Sequence, residues 1–202
     1  MRSNQAFLNL LKAKAGVRTL IFITDAGRIQ NPERVIRFLP QGSFVILRDY
    51  DHPFRGELAY KLRNICKLSS VGFLVAGDLK LAKTVKADGV HLPEYMLFDH
   101  NVCQKLKEFT LVTAACHSRR AMNRAALLGV TAALVSPVFQ TRSHVGERGM
   151  GVHTFARLIK YAPLPIIALG GISSMTAGRR GGLDITGIAA IDGIANGERH
   201  ER

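Results

Sequence analysis

The sequence predicts an α/β fold, a (β/α)8 barrel of parallel strands, on three observations. Eight short apolar runs recur along the 202 residues, helical patterns separate them, and the runs are continuously apolar rather than alternating. Strands buried on both faces read this way, as in parallel βαβ units. Eight such units fit a closed barrel, although a doubly wound open sheet gives the same alternation, so periodicity leaves both open.

The runs are "TLIFITD" (19–25), "SFVILRDY" (43–50), "VGFLVAG" (71–77), "DGVHLP" (88–93), "LVTAAC" (111–116), "AALVSPV" (132–138), "PIIALGG" (165–171) and "DITGIAAI" (184–191). The first intervening helix opens with Pro32 after Asn31, a position that suits proline. "GELAYKLRNICKL", "DLKLAKTVK", "DHNVCQKLKEF", "SRRAMNRAALLG" and "GVHTFARLIKYA" repeat apolar residues at three- and four-residue spacing. Asp99 and Ser118 are placed to cap their helices and Gly129 to end one. After the eighth run only a short, polar, glycine-rich stretch remains, so no full eighth covering helix is expected. Residues 1–18, with Phe7, Leu8, Leu10 and Leu11, read as an amphipathic helix that would cover that gap or a barrel end. The expected organisation is therefore an N-terminal helix over 1–18, a barrel over 19–194 and a polar tail over 195–202. An apolar flank left uncovered would favour a homodimer.

Composition narrows the class. At 47% hydrophobic and 21% charged the chain is globular, and its longest apolar runs are far too short to span a membrane. The N-terminus has a lysine after its apolar patch and no small-residue cleavage site, unlike a secretion signal. Cys66, Cys103 and Cys116 show no metal or redox spacing, which suits reduced thiols in a cytoplasmic protein. The formal charge of +13 is dispersed, and its short basic groups lack interleaved aromatics, which argues against nucleic acid as a partner.

In a parallel barrel the C-terminal strand ends carry function. Arg48 ends the second run, and its planar fork suits an anion, although an ion pair at the surface is an equal reading. His91 ends the fourth strand within "GVHLP" and His117 follows the fifth run; such histidines are often satisfied core or rim residues, and two at one mouth favour a site. Gly170 and Gly171 let a ligand approach the backbone after the seventh run, with Ser173 and Ser174 beyond them. Asp192 follows the eighth run, where a carboxylate would repel a phosphate. The loop "SPVFQTRSHVGERG" has the hydroxyls, glycines and histidine of an anion-holding loop.

These segments together resemble the thiamine phosphate synthase and thiazole tautomerase family, from about residue 19 to about 194. "FITD", "VILRDY", "KADGVHLPE", "CHS", "SPVFQTRSH" and "PIIALGGI" match its motifs in order. The resemblance implies the closed barrel. It also implies thiamine metabolism and a phosphorylated small-molecule ligand of the thiazole phosphate or thiamine phosphate class. In that family the synthase joins a pyrimidine diphosphate to a thiazole phosphate with Mg²⁺. By the resemblance, Arg48 matches the family arginine, while Tyr50 stands in place of a diphosphate-binding lysine. Ala76 and Gly77 stand where the family has Asn-Asp, and Met96 where it has a second metal-binding Asp. Mg²⁺ takes hard oxygen ligands, so it would require Asp78 or Glu94 to substitute, and no cofactor is otherwise expected. Ala115 replaces a serine, Ser143 a threonine and His144 a pyrophosphate-binding lysine; Thr141 keeps its hydroxyl. The tautomerase branch also lacks the metal carboxylates, but its characteristic histidine falls at Pro137. Candidate catalytic residues are thus His117, His144 and Arg48; candidate ligand-binding residues are Arg48, Tyr50, His91, Thr141, Ser143, His144, Gly170 and Gly171. The expected protein is a diverged, synthase-like or tautomerase-like enzyme of thiamine metabolism, or a non-catalytic binding or regulatory barrel.

Overall fold

Buried hydrophobic side chains fall into two sets that alternate along each strand, and this alternation builds the molecule. The computed structural model describes residues 19–138, 150–170 and 183–195. The expectations for residues 1–18, Thr141, Ser143, His144, Gly171 and the polar tail beyond 195 lie outside them.

Eight parallel strands close into a barrel in sequence order, β1 pairing with both β2 and β8. They are β1 (Thr19–Ile23), β2 (Phe44–Leu47), β3 (Gly72–Ala76), β4 (Gly89–Leu92), β5 (Val112–Cys116), β6 (Ala132–Val135), β7 (Ile166–Leu169) and β8 (Gly187–Ala190). Each lies inside its predicted run. The apolar runs extend past the hydrogen-bonded ladder because their last residues leave it to form the mouth.

The helices are α1 (Pro32–Phe38), α2 (Arg55–Leu68), α3 (Leu79–Thr84), α4 (His100–Lys105), α5 (Arg119–Leu127), α6 (Gly151–Ile159) and α7 (Asp192–Ala195). A 3-10 turn (Glu94–Phe98) follows β4. The Ser118 hydroxyl accepts from Ala121 N at 3.1 Å and the Asp99 carboxylate from Asn101 N at 2.8 Å, satisfying amides that a helix start leaves open. Gly129, at φ 72°, ends the α5 segment as predicted. The expected helix over 99–109 is instead α4 followed by a 3-10 turn (Leu106–Glu108). No described helix is long and apolar enough to cross a membrane.

One set of strand residues, including Leu20, Phe22, Val45, Phe73, Val75, Val90 and Leu92, packs outward on helix residues such as Ile36, Leu62 and Phe155. Fully burying each large side chain of this layer contributes about 1.5–3 kcal/mol. The other set, Ile21, Ile23, Ile46, Leu74, Ala76, Ala132, Leu134, Ile167, Ala189 and Ile191, fills the barrel interior. Gly89 begins β4 because a Cβ there would lie 2.1 Å from the Leu111 carbonyl oxygen, so only glycine admits that approach.

Candidate functional site

The interior alternation, carried to the C-terminal strand ends, becomes polar. Asp25 follows Ile23 by two residues, Arg48 follows Ile46, Ser136 follows Leu134, and His117 lies two beyond Ala115; His91 is itself interior on β4. A ring of polar groups thus caps an apolar floor.

On the β1, β2 and β8 side these groups form a chain of alternating charge. Arg48 Nη2 donates to Asp25 Oδ2 at 2.6 Å. Arg28 lies 4.0 Å from the same carboxylate oxygen and pairs with Asp192, the first residue of α7. Asp49 accepts from the Thr24 hydroxyl and from Ala26 N at 2.5 Å, and Thr24 Oγ1 accepts from Arg48 N at 3.1 Å. Asp192 therefore does not face the mouth as a bare carboxylate. Arg48 makes the ion pair that one reading of the sequence expected, and its side chain remains 33% exposed, so donors are left for a ligand.

On the β4, β5 and β6 side the groups are imidazoles. His91 is buried, with Nδ1 3.0 Å from Thr113 Oγ1 on the neighbouring strand. Burial pushes its pKa down to about 4, with the Arg48 charge adding to the effect, so it is neutral at pH 7. A neutral His91 brings no charge to the mouth.

His117 is exposed at the end of β5, and its Nδ1 lies 3.1 Å from the Ser136 carbonyl oxygen. A carbonyl only accepts, so Nδ1 carries the proton, and of the two neutral tautomers this contact selects the one with its lone pair on Nε2. The backbone N–H of His117 donates to the Glu94 carboxylate. Beside it, burial pushes the Cys116 thiol up to about 12, with the Glu94 charge adding, which removes Cys116 as a nucleophile.

On the β2 to β4 side, Tyr50 is 47% exposed and its ring covers Gly77, whose φ of 70° turns the chain out of β3. Burial raises the Tyr50 phenol's pKa. The Arg55 guanidinium sits 5.5 Å from the Tyr50 ring centroid and donates to the Ala76 carbonyl at 2.6 Å. Asp78 caps α3, accepting from Leu81 N at 2.8 Å, and lies 3.7 Å from Arg55. Among the described residues no three His, Cys, Asp or Glu side chains gather to hold a metal ion. Gly170, at φ 101°, turns the chain after β7.

The structure thus joins Arg48, His91 and His117 at one mouth, with Tyr50 at its β2–β3 edge. Sequence reasoning missed Arg28, Asp25 and Arg55. Only the three-residue spacing from Asp25 to Arg28 offered a signal.

Comparison with known proteins agrees with this architecture. A relative from Aquifex aeolicus (strain VF5) is 31% identical over 117 residues, 58% of this chain and 62% of its own length. The thiamine-phosphate synthase of Methanococcus maripaludis (strain C6 / ATCC BAA-1332) is 26% identical over 145 residues, 70% of this chain and 68% of that protein. That of Nostoc punctiforme is 32% identical over 124 residues, covering 61% of this chain and 35% of its own length. These matches span roughly a third to two thirds of the relatives' lengths. Among solved structures, the thiamine phosphate pyrophosphorylase from Pyrococcus furiosus superimposes with a TM-score of 0.68 at 19% identity, over 89% of this chain and 88% of that one. This last likeness concerns the fold. The family model described as thiamine monophosphate synthase matches residues 20–194, and the chain belongs to that family.

Proposed function

We propose that this barrel binds a thiazole phosphate or thiamine phosphate at its C-terminal mouth and shifts a proton on it without Mg²⁺. The observation that carries this reading is the pairing of an oriented arginine with a base of fixed tautomer. Arg48 is held by Asp25, and His117 offers a free Nε2 at the same mouth. The arginine fork suits phosphate oxygens. Nε2 would take a proton from a ligand carbon, giving an imidazolium whose Nδ1–H still donates to the Ser136 carbonyl. The imidazolium, its Nε2 proton exchanging with solvent, then delivers a proton to a ligand atom, and the ring is neutral again.

Synthase chemistry with Mg²⁺ fits these residues poorly. Asp78 serves as a helix cap and faces Arg55, and Glu94 accepts the His117 amide. A cation at either carboxylate would compete with those contacts, and the paired hard-oxygen ligands that Mg²⁺ favours are not assembled from them. Supplied with both half-substrates and Mg²⁺, the protein is expected to make no thiamine phosphate.

The test is proton exchange in D2O. Incubated with thiazole phosphates and EDTA, the protein should incorporate deuterium at a ligand carbon, read by NMR. Binding without exchange would leave a non-catalytic binding barrel, and no binding would overturn the reading.

A further inference from the structure

We propose that Glu94 is a positioning residue that locks His117 into the pose in which Nε2 acts as base. This rests on the role given to His117 above.

Strand register explains why Glu94 reaches it. Leu92 of β4 pairs with Ala114 of β5, so two residues further on Glu94 comes level with Cys116. From the start of the 3-10 turn its side chain crosses to β5 and accepts the His117 backbone N–H. On the opposite side Cys116 pairs with Val135 of β6, which brings Ser136 level with His117. The ring's Nδ1–H donates to Ser136 O at 3.1 Å. Directly after it, Ser118 caps α5 through Ala121 N at 3.1 Å. His117 is therefore clamped from both neighbouring strands, its backbone by a side chain from β4 and its ring by a backbone carbonyl from β6.

Each clamp depends on the other. The amide of His117 lies past the last ladder residue of β5 and has Glu94 as its partner. Without that acceptor the residue is free to turn, and the distance from Nδ1 to the Ser136 carbonyl is no longer fixed. The ring would then exchange its proton between both nitrogens, and Nε2 would cease to be a lone pair of constant direction. The Glu94 charge felt at the Cys116 thiol is consistent with the carboxylate lying against this strand end.

The test uses the full chain labelled with ¹⁵N-histidine, without ligand, at a pH where the ring is neutral. His117→Gln assigns the His117 signals. In the wild type Nδ1 should carry the proton and Nε2 should appear as the unprotonated nitrogen. The His117 amide should exchange at least about tenfold more slowly than an open peptide amide. In Glu94→Ala the two ring nitrogens should shift toward each other and amide exchange should accelerate by about the same factor. Glu94→Gln, which keeps an acceptor oxygen, should restore the wild-type pattern. Amide exchange and tautomer in the wild type keep the test decisive even if Glu94→Ala fails to fold. A wild-type ring protonated at Nε2, a fast-exchanging wild-type amide, an unchanged Glu94→Ala tautomer, or a Glu94→Gln variant that behaves like alanine would each overturn the proposal. No ligand enters these measurements, so they succeed or fail independently of the ligand-binding reading. Where exchange catalysis is observed, Glu94→Ala should lower kcat roughly tenfold to a hundredfold with Kd unchanged, the effect of a misplaced base.

Discussion

The two sides of the barrel mouth solve opposite problems. Around β1, β2 and β8 the polar groups are ionic and cancel one another along the series Arg48, Asp25, Arg28 and Asp192. Around β4, β5 and β6 they are two imidazoles, one buried and held neutral, the other exposed with its tautomer fixed by a carbonyl. The first side orients charge and suits an anion. The second presents an exposed imidazole whose Nδ1–H is engaged by a carbonyl, and suits proton movement. A site that needs both functions gains from keeping them on separate strands, because a strong cation beside His117 would oppose its protonation.

The largest expected effect comes from breaking the proton-moving side. His117→Ala should reduce metal-independent exchange by about 10²–10⁴-fold, as loss of a positioned base does, while ligand affinity measured by calorimetry stays close to wild type. Full exchange in this variant would remove His117 from the mechanism.

His91 sharpens the same contrast through pH. Its folded pKa is about 4 against an ordinary 6.5. Between those values the unfolded chain binds more protons than the folded one, so stability is retained above about 6.5 and declines as pH falls toward 4. The decline amounts to roughly 3 kcal/mol at most, and His91→Gln should flatten that part of the profile in denaturant titrations.

Arg48→Ala tests the charged side. Losing a charge-assisted contact costs about 1.5–3 kcal/mol, so affinity for a thiazole phosphate should fall roughly tenfold to a hundredfold. Metal-independent exchange at saturating ligand should change far less. Asp192→Asn should have the smallest effect. Its pair with Arg28 is partly exposed, at 25% and 23%, and its loss should cost about 1 kcal/mol, or about 2–4 °C in Tm.

The barrel was legible in the sequence because strands buried on both faces leave continuous apolar runs, and all eight observed strands fall within them. Cap residues such as Ser118 and Asp99 were legible because a cap acts within three residues of itself. The site was legible only in part. Arg48, His91 and His117 announce themselves as polar residues ending apolar strands. Their partners do not, since Arg28 meets Asp192 across 164 positions only where the last strand closes on the first. Glu94 meets a backbone amide, which leaves no residue-type signal at the receiving end. Tyr50 was singled out only by its place in the motif, where a family lysine would stand, and that position gave no sign that its ring packs over Gly77 and beside Arg55.

The most direct test of the account is a calorimetric titration of the full chain with thiazole phosphate, once in EDTA and once in Mg²⁺. The account predicts saturable binding with the same Kd in both, and a stabilisation of about 2.7 kcal/mol at a ligand concentration 100 times that Kd. Binding that appears only with Mg²⁺, or no binding in either buffer, would contradict it.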